Sequence, residues 1–195
     1  MSAGPDATVV PDPDAHLVRE IGRVPRIARW LLPAAAILRR GSSVSTIEPR
    51  VRALVVLYAA GADDAAYWLE QHRRVARDVG LTPEEIDGAA SGTWRELTSL
   101  SPRERAALRW AEGLSTNDAK RDKDGFAELQ AQFHTAEIVE LTALGGMCAM
   151  LDRFANAMRL DAGHDVVDTA EPVTVDALAG WARTMFDGSG AGDHG

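Results

Sequence analysis

His72 is the side chain in this sequence with the clearest capacity to move a proton. It ends the run Tyr67-Trp68-Leu69-Glu70-Gln71-His72 and shares a helical stripe with Ala65, Trp68, Leu69, Val75, Ala76 and Val79, four residues after Trp68 and three before Val75. An imidazole on a buried helix face has a tunable pKa and can serve as general acid or base. The same position suits a core histidine whose ring nitrogens are satisfied by hydrogen bonds, and spacing alone leaves both open. Tyr67 either reaches the pocket that His72 faces or packs at the helix edge.

Other chemistry-bearing residues are fewer. Arg50 and Arg52 open the preceding helical segment, where a guanidinium can fork onto a carboxylate; pairing at the surface with Glu48 or another acid is the alternative. Cys148 stands alone on a dense apolar surface, whereas a reactive thiol needs an electropositive, partly exposed setting. One cysteine in the whole chain also excludes an internal disulfide and a cysteine-rich metal site. His134, Glu137 and Glu140 fall only loosely on one helix face, so no metal is expected. Glycine-rich phosphate loops, serine elbows and dinucleotide fingerprints are absent from the sequence.

The segments that must position these residues all carry helical punctuation. Pro25 opens the first, which holds Ile27, Trp30, Leu31, Ile37 and Leu38, and Pro33 inside it predicts a kink or two shorter helices. A second helix is expected from Pro49 to about Ala60, stopped by Gly61, with Asp63 or Asp64 capping a third from about Asp64 to Val79. Thr82-Pro83-Glu84-Glu85 and Ser101-Pro102-Arg103-Glu104 each read as a capping box with proline at the first helical position. Asp124 is expected to cap a short helix through Phe133, and Thr135 a long one to about Leu160. That last helix is apolar on more than one face, which suits the centre of the fold or a subunit interface. Gly145-Gly146 in its middle points to close approach of a neighbouring helix. A final amphipathic helix is expected over 175–186. The expected fold class is all-α, with about seven to nine helices and no strand pattern of useful length.

The chain has 195 residues, 46% of them hydrophobic and 26% charged, with a formal net charge of −8. That balance suits one soluble domain and disfavours sequence-independent nucleic-acid binding, which needs a basic footprint. Neither a signal peptide nor a membrane span is legible, and a cytoplasmic location is expected. The expected organisation is a tail over 1–12, a helical domain over 13–163, a linker and helix over 164–187, and a second tail over 188–195.

Four segments in this order resemble the carboxymuconolactone decarboxylase and alkylhydroperoxidase D-like (AhpD-like) superfamily, from about His16 to Leu160. They are Glu48-Pro49-Arg50-Val51-Arg52-Ala53-Leu54; Tyr67 to His72 with Val79-Gly80-Leu81-Thr82-Pro83-Glu84-Glu85-Ile86; Ser101 to Gly113; and Phe133 to Met158. The family's peroxidase branch carries a CxxC pair, a histidine four residues after the second cysteine, and a glutamate on the preceding helix. Here the cysteine positions fall on Ala65 and Trp68 and the glutamate position near Ala53, leaving only His72. Without a peroxidatic thiolate no sulfenic acid forms, and without a resolving thiol no disulfide. The cofactor-free decarboxylase branch is the nearer resemblance, through an aromatic segment ending in histidine. That branch often has glutamate directly after the tyrosine, where this chain has Trp68.

The resemblance implies a cofactor-independent enzyme acting on a small organic acid, lactone or aromatic metabolite. His72 would transfer the proton, Tyr67 and Trp68 would line the pocket, and Arg52 would orient an anion. It also implies a homo-oligomer, a trimer or hexamer with a dimer as the alternative. The competing reading is a non-catalytic binding or scaffold oligomer in which Trp68 fills the former active site.

Overall fold

The computed structural model describes Leu17, Glu20, Ile21 and residues 23–160 apart from residue 42. Within these residues lie seven α-helices and one 3-10 turn, with no strand. We number them α1 (Pro25–Arg40), α2 (Pro49–Ala62), α3 (Ala66–Asp78), α4 (Pro83–Ser91), α5 (Pro102–Ser115), α6 (Lys123–Gln132) and α7 (Thr135–Ala157); the 3-10 turn spans Trp94–Glu96. The expected all-α class is therefore what the chain adopts. The expected tails, linker and helix over 175–186 lie outside the described residues.

Helix α2 is the central rod. Every residue from Val51 to Ala60 is buried, and α3, α4, α5 and α7 all pack against it. A helix apolar on all sides is stable only when surrounded in this way. Gly61 lies inside α2 rather than ending it, because a methyl group there would meet the Ala90 carbonyl oxygen of α4 at 1.9 Å. The glycine is what lets the two backbones touch. Neither Asp63 nor Asp64 caps α3: Asp64 takes a left-handed φ of 50°, the Ala65 amide bonds back to the Ala60 carbonyl, and Ala65 is the N-cap with no side-chain bond. Helix α3 accordingly starts at Ala66, two residues later than expected.

Both capping boxes form with their two reciprocal bonds, at Thr82/Glu85 and Ser101/Glu104. Their glutamates do more than cap. Arg50 at the start of α2 donates from Nη2 to Glu85 at 2.5 Å, from Nε to Glu104 at 2.6 Å and from Nη1 to the Gly80 carbonyl at 2.9 Å. Burial pulls both carboxyls up. Hydrogen bonds from Thr82 and Ser99 to Glu85, from Ser101 to Glu104, and from Arg50 to both nonetheless hold them below the ordinary range. One guanidinium thus ties together the starts of α2, α4 and α5. Of the expected pairing with Glu48 or another acid, Arg50 takes the second form, with Glu85 and Glu104; Glu48 pairs with Arg103, which also binds Glu137 and lies over the Phe133 ring.

Helix α1 runs unbroken through Pro33, which removes one intrahelical bond without ending the helix. Leu31, Ala35 and Leu38 face the core, while Ile27 and Trp30 are exposed. Asp122, not Asp124, caps α6 by accepting from the Gly125 amide, and Arg109 clamps the same carboxylate. Helix α7 begins at Thr135 with His134 as N-cap, the Glu137 carboxylate accepting from the His134 amide, and it ends at Ala157 rather than Leu160. Its inner column is Leu141, Leu144, Gly145, Cys148, Leu151, Asp152 and Ala155. Of the glycine pair only Gly145 meets a close neighbour, Leu114; Gly146 faces open space. Among the described residues no helix is long and apolar enough to cross a membrane.

Candidate active site

The inward face of α3 carries Tyr67, Trp68, Gln71 and His72, all buried. Trp68 Nε1 donates to the Leu151 carbonyl of α7 at 3.0 Å, fixing the indole between α3 and α7. The indole lies against the His72 ring with centroids 5.8 Å apart and planes 19° from parallel. Tyr67 meets Trp68 edge-on at 5.2 Å. Trp68 and His72 meet because positions 68 and 72 are one turn apart on the same face, and Tyr67, whose place the spacing left open, packs against Trp68.

His72 is 1% exposed, and neither ring nitrogen has a hydrogen-bond partner among the described residues. Among the described residues, then, no hydrogen bond satisfies the ring. Burial, and secondarily the positive charge of Arg52, lower its pKa from 6.5 to about 3, so the ring is neutral at physiological pH. An unbonded buried polar group is unfavourable by about 1–3 kcal/mol, so packing stability alone gives no reason for a histidine at this position.

Arg52, on α2, reaches the last turn of α1, where Nη2 donates to the Ile37 carbonyl at 2.7 Å and to the Leu38 carbonyl. It is 8% exposed and forms no ion pair with a carboxylate among the described residues. Burial pushes its pKa below the ordinary arginine value. It lies on the wall of a cavity of about 250 Å³ between the α1–α2 connection and α7. Ile37, Ile47, Leu144 and Met147 supply the apolar wall, and Ser45 and Glu140 the remaining polar groups. Glu140 accepts from Ser45 Oγ, from the Thr46 amide at 2.9 Å and from Thr46 Oγ1 at 2.8 Å, so it fastens the connection to α7. His72, Tyr67 and Trp68 are not on this wall. Nor are they on that of a second cavity of about 540 Å³ bordered by Trp94, Arg95, Arg105, Arg109 and Asp122.

Two inner residues escaped the sequence reading. Asp152 is fully buried with neither carboxylate oxygen bonded among the described residues, and burial, then the nearby Asp63 charge, push it up to about 8. Its position, four residues after Cys148 and three before Ala155, marked it as part of the core column. Gln71 is buried beside His72, between Trp68 and Val75 on the stripe. Cys148 is 1% exposed; burial and then Asp152 raise its pKa far above neutrality, so it is a thiol and not a thiolate. Glu137 is bound to Arg103 and Glu140 to Ser45 and Thr46. Among the described residues no three acidic, histidine or cysteine side chains cluster as a metal site.

The all-helical bundle with this element order is an AhpD-like fold. Residues 25–113 match the carboxymuconolactone decarboxylase family, and the chain belongs to that family within the AhpD-like superfamily. It is 30% identical over 146 residues to YnjA, an uncharacterized protein of Escherichia coli (strain K12), covering 74% of this chain and 78% of the relative. Among solved structures it resembles an Agrobacterium tumefaciens protein of unknown function, provisionally named as the antioxidant-defence protein AhpD. The TM-score is 0.64 at 23% identity, over 76% of this chain and 97% of the other. It also resembles the debrominase Bmp8, solved as a cysteine-to-alanine variant in complex with 2,3,4-tribromopyrrole; the TM-score is 0.62 at 19% identity, over 82% and 94% of the two chains. At these identities the structural likeness shows the shared fold.

Proposed function

We propose that this protein is a carboxymuconolactone decarboxylase-like enzyme, a lyase or isomerase that uses His72 for proton transfer on a small organic acid, lactone or aromatic metabolite. The observation that carries this reading is the neutral, buried imidazole with both nitrogens unbonded among the described residues. Such a ring can accept a proton at either nitrogen once substrate displaces the packing beside it. An anionic substrate favours the protonated ring, so its basicity rises when the site is occupied. In this reading the substrate displaces the packing between the Arg52 cavity and His72, so that Trp68 and Tyr67 come to line it while Arg52, whose charge acts on His72, orients an acid group. The reading takes the enzyme to work without a cofactor, as a cytoplasmic homo-oligomer. Exposed Val139 and Met150 on α7, at 63% and 37%, support a further contact surface there. Thiol peroxidase chemistry is not part of it, because Cys148 is neither ionised nor accessible.

The test is turnover of a panel of small carboxylic acids, lactones and halogenated aromatics, followed by mass spectrometry. Turnover present in the native chain and lost in a folded His72→Leu variant supports the assignment. Equal turnover in both removes it.

A second reading has its own observation. Trp68 stacks on His72 and is anchored to Leu151, filling the space beside the ring, which fits a binding or scaffold oligomer with a degenerate active site. In that case the panel gives no turnover, while Trp68→Ala opens a space that binds small aromatics.

A further inference from the structure

We infer that the cavity beside Arg52 is a binding site for small monocarboxylates with an apolar body, and that Glu140 sets it against dicarboxylates. This deepens the enzyme reading above and rests on it only in making the site a substrate pocket; the binding itself stands on the geometry.

The argument begins with an imbalance of charge. Arg52 is more than nine-tenths buried, yet its only bonds among the described residues are from Nη2 to two backbone carbonyls. A guanidinium has five N–H donors and cannot shed its proton in a protein. Buried charges are normally paired, and the directly bonded partner is missing here. The larger cavity differs in degree: there Arg95 is matched by Glu112 and Arg109 by Asp122 and Glu128, and Arg105, which bonds only to the Leu97, Leu100 and Arg95 carbonyls, is half-buried and keeps access to water. Arg52 is the buried one of these cations.

The rest of the wall decides the ligand's other properties. Ile37, Ile47, Leu144 and Met147 offer nothing to a polar body and favour an apolar one. The volume, about 250 Å³, lies below the roughly 300–1,000 Å³ of pockets for drug-sized ligands and suits a small molecule such as benzoate. Glu140 accepts its hydrogen bonds from Ser45 and Thr46, and it acts on Arg52 through space without forming an ion pair among the described residues. Its charge stands on the cavity wall. A ligand's first carboxylate is drawn to Arg52; a second would have to lie beside Glu140. Like charges brought together in a small space repel, the more so as the ligand displaces water between them.

The experiment is thermal denaturation of the full chain with benzoate, its neutral analogue benzyl alcohol, and isophthalate. Benzoate at roughly ten times its Kd should raise Tm by about 3–5 °C. Benzyl alcohol and isophthalate should each bind at least tenfold more weakly. Met147→Trp, which fills the cavity from its apolar wall, should abolish the benzoate shift, and Glu140→Gln should recover isophthalate binding at least fivefold. The inference is overturned by no shift with benzoate, by equal binding of all three compounds, or by a shift that survives Met147→Trp. The two variants leave Arg52 in place, so the bonds to α1 are kept. His72 takes no part in this readout. Failure of the proton-transfer reading shows as unchanged turnover in His72→Leu, and failure of this one as unchanged melting with benzoate.

Discussion

The Trp68 indole lies nearly parallel to the His72 imidazole, with planes 19° apart, and its own N–H is spent on Leu151 of the facing helix. The indole is thereby fixed, and with it one face of the histidine. Neither ring nitrogen of His72 gains a partner from this arrangement, so the contact sets orientation without relieving the unbonded polar atoms.

That imbalance gives His72 a pH signature. Its folded pKa, about 3, lies below the unfolded value of 6.5, so the unfolded chain binds more protons between the two. The group's contribution to stability is constant above pH 6.5 and falls as pH drops towards 3, with a slope of about 1.4 kcal/mol per pH unit. His72→Leu removes the slope. Urea unfolding at pH 7.5 and pH 5 should show the variant gaining on the native chain by about 1–2 kcal/mol at the lower pH; parallel behaviour at both would contradict the buried neutral ring.

Asp152 has the opposite sign. Its folded pKa of about 8 exceeds the unfolded 3.8, so the folded chain holds an extra proton in that window and loses stability as pH rises through it. Asp152→Asn keeps the shape and removes the titration. Its advantage over the native chain should be small at pH 4 and grow steadily to pH 8, as measured by denaturant midpoints in matched buffers.

Arg50 compensates two carboxylates that are themselves buried, with side-chain exposures of 3% for Glu85 and 8% for Glu104. Arg50→Met should destabilise the fold by about 2–3 kcal/mol, less than a fully buried pair because the arginine is partly exposed. Both carboxyls are held below their ordinary range, so this contribution is present above their unfolded pKa and is lost as pH falls through it. The gap between native and variant midpoints should therefore narrow on acidification; a constant gap would point to lost packing alone.

Two glycines separate crowding from helix propensity. Gly61→Ala places a methyl into the Ala90 carbonyl and should destabilise by about 1–3 kcal/mol despite alanine's preference for helix. Gly146→Ala meets nothing within 4 Å and should stabilise by up to about 1 kcal/mol. Melting temperatures of the two variants should move in opposite directions.

Much of the local structure was legible because its signals are short-range. Thr82 with Glu85 and Ser101 with Glu104 were readable as helix starts because each capping box lies within four residues, and Trp68 and His72 were readable as neighbours because one helical turn joins them. What could not be read depends on residues far apart in the chain. Arg50 finds its acceptors 35 and 54 positions away. Gly61 reads as a stop, yet it serves a contact with Ala90 on another helix. Asp124 reads as the cap of α6, yet Asp122 caps it, and the Arg109 side chain that also holds Asp122 comes from another helix. At the site, the inward face of His72 was legible, whereas the separation between its ring and the Arg52 cavity was not. Asp152 is in register with Cys148 and Ala155, but no short-range signal tells that its carboxylate is buried without a bonded partner among the described residues.

The joint hold of Arg50 on Glu85 and Glu104 has a dynamic consequence. Three helices begin at one cation, so fraying of α2 at its first turn strands both carboxylates, and fraying of α4 or α5 takes one acceptor from Arg50. The amides of α2, α4 and α5 should exchange with deuterium as one slow block. Helix α1 is outside that block and is pinned at its last turn by Arg52; it can peel back in a separate, shallower opening event, and that event exposes the Arg52 cavity while the central rod stays closed.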